Sequence, residues 1–355
     1  MNLFKLHSFT CGLLVMSLSF ASCGKKDSPP TPSKPDSPIT IPLATWPTNA
    51  DIYFVGSIKK DGPKPIPTIW KNGTPTTLFN TLGATPNENA DALAVTVANG
   101  NVYVAGSASV PGYNVAVSWK NGVLKRLPTK SIFSEANAIT VSENDIYIAG
   151  MADNKPTLWK NGIETTLSKL SGVATAIFVQ GTDVYVAGNT FDRKSHTTLW
   201  KNGNLVPLDT DGSAFESSVN AMWVNGTDTY LAGGIEGTGA VIWKNGKSNV
   251  LFNGGYTTFS DATDIIVKGD DVYAAGYIRS NTVLWKNGAV TNMPLNDRNS
   301  IRNKISIGFN DNDLYLSSGL DGKANEVDAI LWQNNVAYQF SKYFSVIVGM
   351  AVVPH

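Results

Sequence analysis

From Asp51 onward the chain is built of short runs in which apolar and polar residues alternate, each run closed by Gly, Asn or Asp. Alternation with a period of two over so few residues predicts half-buried β-strands, and no long amphipathic helical pattern interrupts them. The runs fall into a repeating unit: Ala-x-Ala-Ile-x-Val, a turn, Asp-Val-Tyr-Val-Ala-Gly, a variable loop, Thr-Leu-Trp-Lys-Asn-Gly, then Thr-Thr-Leu. Its tryptophans stand at Trp70, Trp119, Trp159, Trp200, Trp243, Trp285 and Trp332, and its tyrosines at Tyr53, Tyr103, Tyr147, Tyr185, Tyr230, Tyr273 and Tyr315. Seven units of about 40 to 50 residues, each with four short strands, predict an all-β fold, a seven-bladed β-propeller with four antiparallel strands per blade.

Asn-Gly follows Trp-Lys in six units, and a two-residue hairpin needs positive φ at both central positions, which these residues tolerate best. The seventh unit has Asn334 and Asn335 there. Small alanines on the first strand suit the crowded centre of a propeller, which places that strand innermost and the Thr-Thr-Leu strand outermost. The first unit opens on its second strand at Asp51, because Pro42 and Pro47 interrupt the preceding stretch. The missing strand is expected at the other end: Gly349 to Pro354 carries the first-strand pattern, so the C-terminal strand should close blade one and remove the open edge.

Upstream of the repeats the pattern changes. Residues 1–22 carry one basic residue, Lys5, and an apolar run from Phe9 to Phe20, too short for a bilayer span and laid out as a secretory signal. Ala21-Ser22-Cys23 behind it resembles a bacterial lipobox, with Phe20 where Leu is usual, and makes Cys23 the expected lipid-attachment site. Residues 24–47 include seven prolines among Ser, Lys, Asp and Thr, a composition for an extended tether of ~75 Å at ~3.1 Å per residue. The expected organisation is therefore a lipoprotein signal peptide at 1–22, a lipidated Cys with a Pro-rich tether at 23–48, and the propeller at 49–355. The expected address is the bacterial cell envelope, as an outer-membrane lipoprotein on its periplasmic side or at the cell surface.

Leader and repeats together resemble an uncharacterised family of envelope lipoproteins of Bacteroidota type with Trp-Lys-Asn-Gly propeller repeats. The resemblance covers Asp51 to Pro354 and the leader. It implies the fold and the address, and carries no activity.

Composition narrows the function. Lys plus Arg and Asp plus Glu are each 28, so no global field favours nucleic acid, and the membrane is expected to be touched through the lipid anchor only. Three histidines and two cysteines, one of each in the leader, leave little for His/Cys metal sites or His-based triads; no metal and no cofactor are expected, and a monomeric domain is. Asp209-Thr210-Asp211-Gly212 lacks the spacing of a calcium loop, and His196 is a lone histidine in a variable loop.

Two columns read as structural. Acids open the second strand (Asp51, Asp145, Asp183, Asp228, Asp271, Asp313, with Asn101 in unit two), and bases close the third (Lys71, Lys120, Lys160, Lys201, Lys244, Lys286, with Gln333 last). Antiparallel neighbours can pair them in five blades, for ~0.2 to 1 kcal/mol each. Function is expected where the unit varies: the loops between second and third strands and between successive blades, which share one face. Aromatic candidates there are Tyr113, Phe133, Phe191, Phe215, Tyr256, Phe259, Tyr343 and Phe344.

Aligning the first strands gives two further columns at the channel mouth. One holds Asp91, Asn137, Thr175, Asn220, Thr263 and Asn303, with Met350 in the closing strand: small polar groups that either satisfy neighbouring backbone or contact a ligand. The other reads Ala92, Ala138, Ala176, Ala221, Asp264, Lys304 and Ala351. Asp264 and Lys304 break the alanine rule in adjacent blades, and an ion pair is the expected account, a catalytic pair the alternative. Together these features predict a non-catalytic binding module for a protein or glycan, with no catalytic residue assigned. The alternatives are a polysaccharide-active enzyme using carboxylates or Tyr, or a structural subunit of an envelope complex.

Overall fold

The computed structural model describes residues 46–47, 49–59, 66–79, 81–82, 89–208, 216–279, 281–292, 304–319, 329–334, 336–339 and 344–355. Among these, every regular element is a strand, and 28 strands form seven four-stranded antiparallel sheets. Six sheets are consecutive in sequence, such as blade six, Ser260–Lys268, Asp271–Ile278, Asn281–Lys286 and Ala289–Asn292. Blade one is composite: the C-terminal strand Phe344–Pro354 pairs with Ala50–Lys59, followed by Ile66–Lys71 and Thr74–Thr77. The molecule is a seven-bladed β-propeller closed by its C-terminus.

The repeat explains each corner. Asn72 and Gly73 have φ of 48° and 77°, and the same pair of left-handed residues recurs at each Asn-Gly turn. The turn asparagine does more than accept its φ. Asn72 Oδ1 accepts the Ile52 N–H at 2.8 Å and its Nδ2 donates to Asp51 at 2.8 Å, tying the third-to-fourth-strand turn back to the start of the second strand. The same double bond recurs at Asn121, Asn161, Asn202, Asn245, Asn287 and Asn334. The Lys of Trp-Lys-Asn-Gly pairs with the opening Asp in the five expected blades, at 2.6 to 2.9 Å. Its ammonium also lies over the Tyr ring of the second strand, 5.0 to 5.4 Å from the centroid in those blades.

The core is distributed rather than central. Seven hydrophobic clusters each join two neighbouring blades and each contain one buried repeat Trp. The cluster between blades seven and one packs Trp70, Ile52 and Phe54 against Tyr315 and Leu331, with Ile347 of the closing strand fully buried among them. Trp46 adds to this cluster, its ring 6.1 Å from Phe54.

One local feature was not visible in the alternation. The innermost strand carries a β-bulge in blades one to six, an extra residue that bends the strand towards the channel: Val348, Leu93, Asn137, Thr175, Asn220 and Thr263. Opposite the bulge the second strand has Gly, as at Gly276, where a Cβ would stand only 2.0 Å from the Asp261 carbonyl oxygen.

The bulge corrects both channel columns. The register puts Leu93 and Val348, not Asp91 and Met350, in line with Asn137, Thr175, Asn220 and Thr263. It likewise aligns Ala94, Ser306 and Gly349, not Ala92, Lys304 and Ala351, with Asp264. Asn303 lies outside the described residues, as do Cys23, the stretch 209–212, Phe215, Tyr343 and the side chain of Phe344.

Candidate functional site

The bulge residues meet at the channel mouth. Leu93, Asn137, Thr175, Asn220, Thr263 and Val348 line a cavity of about 340 Å³ together with Glu135, Asp261, Tyr277 and Lys304. The structure thus brings Asn137, Thr175, Asn220, Thr263 and Lys304 to one place. The donors of Asn137, Thr175, Asn220 and Thr263 are already engaged. Asn137 Nδ2 donates to the Ala174 carbonyl at 3.2 Å, Thr175 Oγ1 to Val219 at 2.8 Å, Asn220 Nδ2 to Ala262 at 3.0 Å, and Thr263 Oγ1 to Ile305 at 2.8 Å. Each of the four polar bulge side chains staples its blade to the next, which is a structural use of polar groups in a crowded channel.

Asp264 and Lys304 do not form an ion pair, and among the described residues Asp264 has no other ion-pair partner. Its Oδ1 accepts the Ile265 N–H and its Oδ2 the Ile307 N–H, each at 2.9 Å, so the carboxylate is satisfied by backbone across the blade six–seven boundary. Burial raises its pKa, and the charge of Lys304 offsets part of that from a distance. The expected pair is replaced by a backbone clamp, because Lys304 stands two residues before the position facing Asp264.

The position two residues before the bulge carries three acids, of which sequence alignment had named Asp91 and missed Glu135 and Asp261. Asp91, Glu135 and Asp261 occupy equivalent positions, opposite Ser107, Met151 and Tyr277. Burial pushes Glu135 up, with the negative charge of Asp91 adding to it. Of these three Asp261 is displaced furthest, to about 6, by burial that hydrogen bonds from Asn220 and from the Ala262 backbone only partly offset. Its Oδ2 accepts Asn220 Nδ2 at 3.0 Å, while its buried Oδ1 has no hydrogen-bond partner among the described residues.

Asp261 and Tyr277 also line a second, larger cavity of about 730 Å³, a cleft over blades four to six that shares these two residues with the one at the channel mouth. Its walls come from variable connections: Phe191 and Ser195 of blade four, Glu216 entering blade five, Glu236 and Gly237 within blade five, and Tyr256 to Phe259 entering blade six. The walls are held in place. Glu236 N–H donates to the Glu216 carbonyl at 2.8 Å, Gly254 N–H to Thr238 at 3.0 Å, and Thr258 N–H to Gly254 at 3.2 Å. The Tyr256 ring lies over Gly237, φ 71°, where a Cβ would collide with it. Three aromatic side chains remain open to solvent: Tyr256 at 65%, Phe259 at 61% and Phe191 at 45%. All three were on the sequence list; Tyr113 and Phe133 do not line this cleft. His196 contacts Asp192 at 3.0 Å and lines a separate hollow with Leu167 and Leu208.

No protein-family model and no curated protein sequence matches the chain. Solved structures do. A provisionally assigned 6-phosphogluconolactonase of Bacteroides fragilis is 14% identical, with a TM-score of 0.50 over 86% of this chain and 98% of that one. Its counterpart from Bacteroides uniformis is 12% identical, with a TM-score of 0.51 over 86% of this chain and 100% of that one. At such identities the likeness is one of fold, shared with propellers from Bacteroides.

Proposed function

We propose that this chain is a lipid-anchored envelope propeller that binds a glycan, without transforming it, in the cleft between the channel mouth and Tyr256. The observation that carries the reading is the cleft itself: a preformed hollow of ligand size, rimmed by three exposed rings and floored by carboxylates and hydroxyls. Aromatic faces stack on the apolar faces of sugar rings, and carboxylates such as Glu216 and Glu236 accept their hydroxyls. Variable loops on a rigid scaffold are the usual seat of such recognition.

A second reading has one observation in its favour. A carboxyl titrating near 6, as Asp261 does, is suited to general acid catalysis on a polysaccharide. A glycan panel applied to the detergent-solubilised full chain separates the two. Binding is expected with the sugar recovered at its original length, and Tyr256→Ala with Phe259→Ala should weaken it at least ~10-fold, about 1.4 kcal/mol. Shortened products would favour the enzyme; retention indifferent to both substitutions would move binding elsewhere.

The anchor has its own test. A fatty-acid analogue fed to producing cells should label the wild type and leave Cys23→Ser unlabelled, and equal labelling of the two would contradict lipidation at Cys23.

A further inference from the structure

The wall of the smaller cavity is not uniform. Four of its bulge residues are polar, Asn137, Thr175, Asn220 and Thr263, and they staple blade to blade. The other two, Leu93 and Val348, carry no side-chain donor or acceptor and do something else. They belong to the innermost strands of blades two and one, which are neighbours in the ring. Glu135 flanks them on one side, on the innermost strand of blade three, and Lys304 on the other, leading into the innermost strand of blade seven. From blade seven round to blade three the cavity therefore presents an ammonium, two aliphatic side chains and a carboxylate.

Each of these groups asks for its complement. Glu135 is half-buried, and burial together with the charge of Asp91 disfavours its ionised form, which an ammonium beside it would reverse. Asp261, the other carboxylate on this wall, already accepts Asn220 with Oδ2 and has Oδ1 buried away from the cavity, so Glu135 is the acceptor to assign. The Lys304 ammonium supplies three donors suited to a carboxylate. Leu93 and Val348, both half-buried, gain by covering apolar surface. A ligand of single charge satisfies one wall and leaves the opposite charge uncompensated.

We infer that the channel mouth binds a zwitterion with an aliphatic side chain, an amino acid or a dipeptide, with its ammonium at Glu135, its carboxylate at Lys304 and its side chain against Leu93 and Val348. A cavity of about 340 Å³ lies at the lower end of the ~300 to 1,000 Å³ usual for ligand pockets, the size for one small molecule and not for a polymer. None of these four residues lines the larger cavity, so the assignment goes beyond glycan binding there and does not depend on it.

Calorimetric titration of the detergent-solubilised full chain tests the assignment with L-leucine, L-leucyl-L-leucine and three analogues that each lack one feature: leucinamide, N-acetyl-leucine and glycine. Leucine or its dipeptide is expected to bind, the tighter of the two identifying the source, and each analogue at least ~10-fold more weakly. Glu135→Gln should erase the discrimination against N-acetyl-leucine, and Lys304→Gln the discrimination against leucinamide, with the native circular dichroism spectrum kept. A merely structural role would not produce that crossed pattern, and should either variant fail to fold, the analogue series on the wild type decides alone. Binding of any analogue as tightly as leucine and its dipeptide, or no binding of either, overturns the assignment.

Discussion

Deleting residues 346–355 is expected to abolish cooperative folding of the propeller or to lower its melting temperature by well over 10 °C. The deleted stretch pairs with the first described strand of blade one from Ala50 to Ser57. Ile52 and Phe54, both fully buried, would lose the strand that covers them, and Val352 would no longer fill the space above Gly308 of blade seven. Ile347 itself is fully buried. Removing one large buried side chain costs ~2 to 5 kcal/mol, and here several go together with a row of backbone hydrogen bonds. An open blade also exposes a hydrogen-bonding edge, so aggregation should accompany the loss. Thermal melting followed by circular dichroism checks this, and an unchanged midpoint would contradict closure.

Asp261→Asn is expected to act in the opposite direction and raise stability at neutral pH. The folded protein shifts this carboxyl up from 3.8 to about 6 because burial penalises the charged form. Below pH ~4 the group is protonated in folded and unfolded chains alike, and no penalty arises. Between pH ~4 and ~6 the unfolded chain releases this proton while the folded protein still holds it, so stability is withdrawn across that window and the full penalty, ~3 kcal/mol for a displacement of this size, is in place above 6. Asparagine is neutral throughout. The variant should therefore melt several degrees above wild type at pH 7.5, with the gap closing towards pH 4. A residue that lowers stability at neutral pH while lining two cavities fits a functional role better than a packing one. A variant that melts below wild type at pH 7.5 would refute the strained carboxylate.

Much of the fold was legible because its determinants are local and repeated. Positive φ at Asn-Gly, the Asp–Lys pairs and the Trp column each recur at fixed spacing, and the closing strand was betrayed by its pattern at the wrong end of the chain. The bulge was hidden for a physical reason. In the innermost strand, alanines two apart, such as Ala92 and Ala94 or Ala136 and Ala138, satisfy a period of two equally well in either frame. Only the pairing chooses, and it moved Asp91, Lys304, Met350 and Ala351 out of the columns where sequence alignment had put them. The cleft was half legible. Its rings were foreseen because variable loops stand out against a repeat, but Glu216, Glu236 and Asp261 come together only through the packing of blade five against blade six, and Glu135 of blade three shares the smaller cavity with Asp261 alone of them.

The central claim is that the variable face over blades four to six is the binding site, and hydrogen–deuterium exchange with and without the best glycan of the panel tests it most directly. Protection is expected at residues 191–196, 216–220, 236–239 and 255–261, the segments that wall the cleft, with the Asn-Gly turns of the opposite face unchanged. Protection confined to those turns, or to blades one and two, would contradict the account.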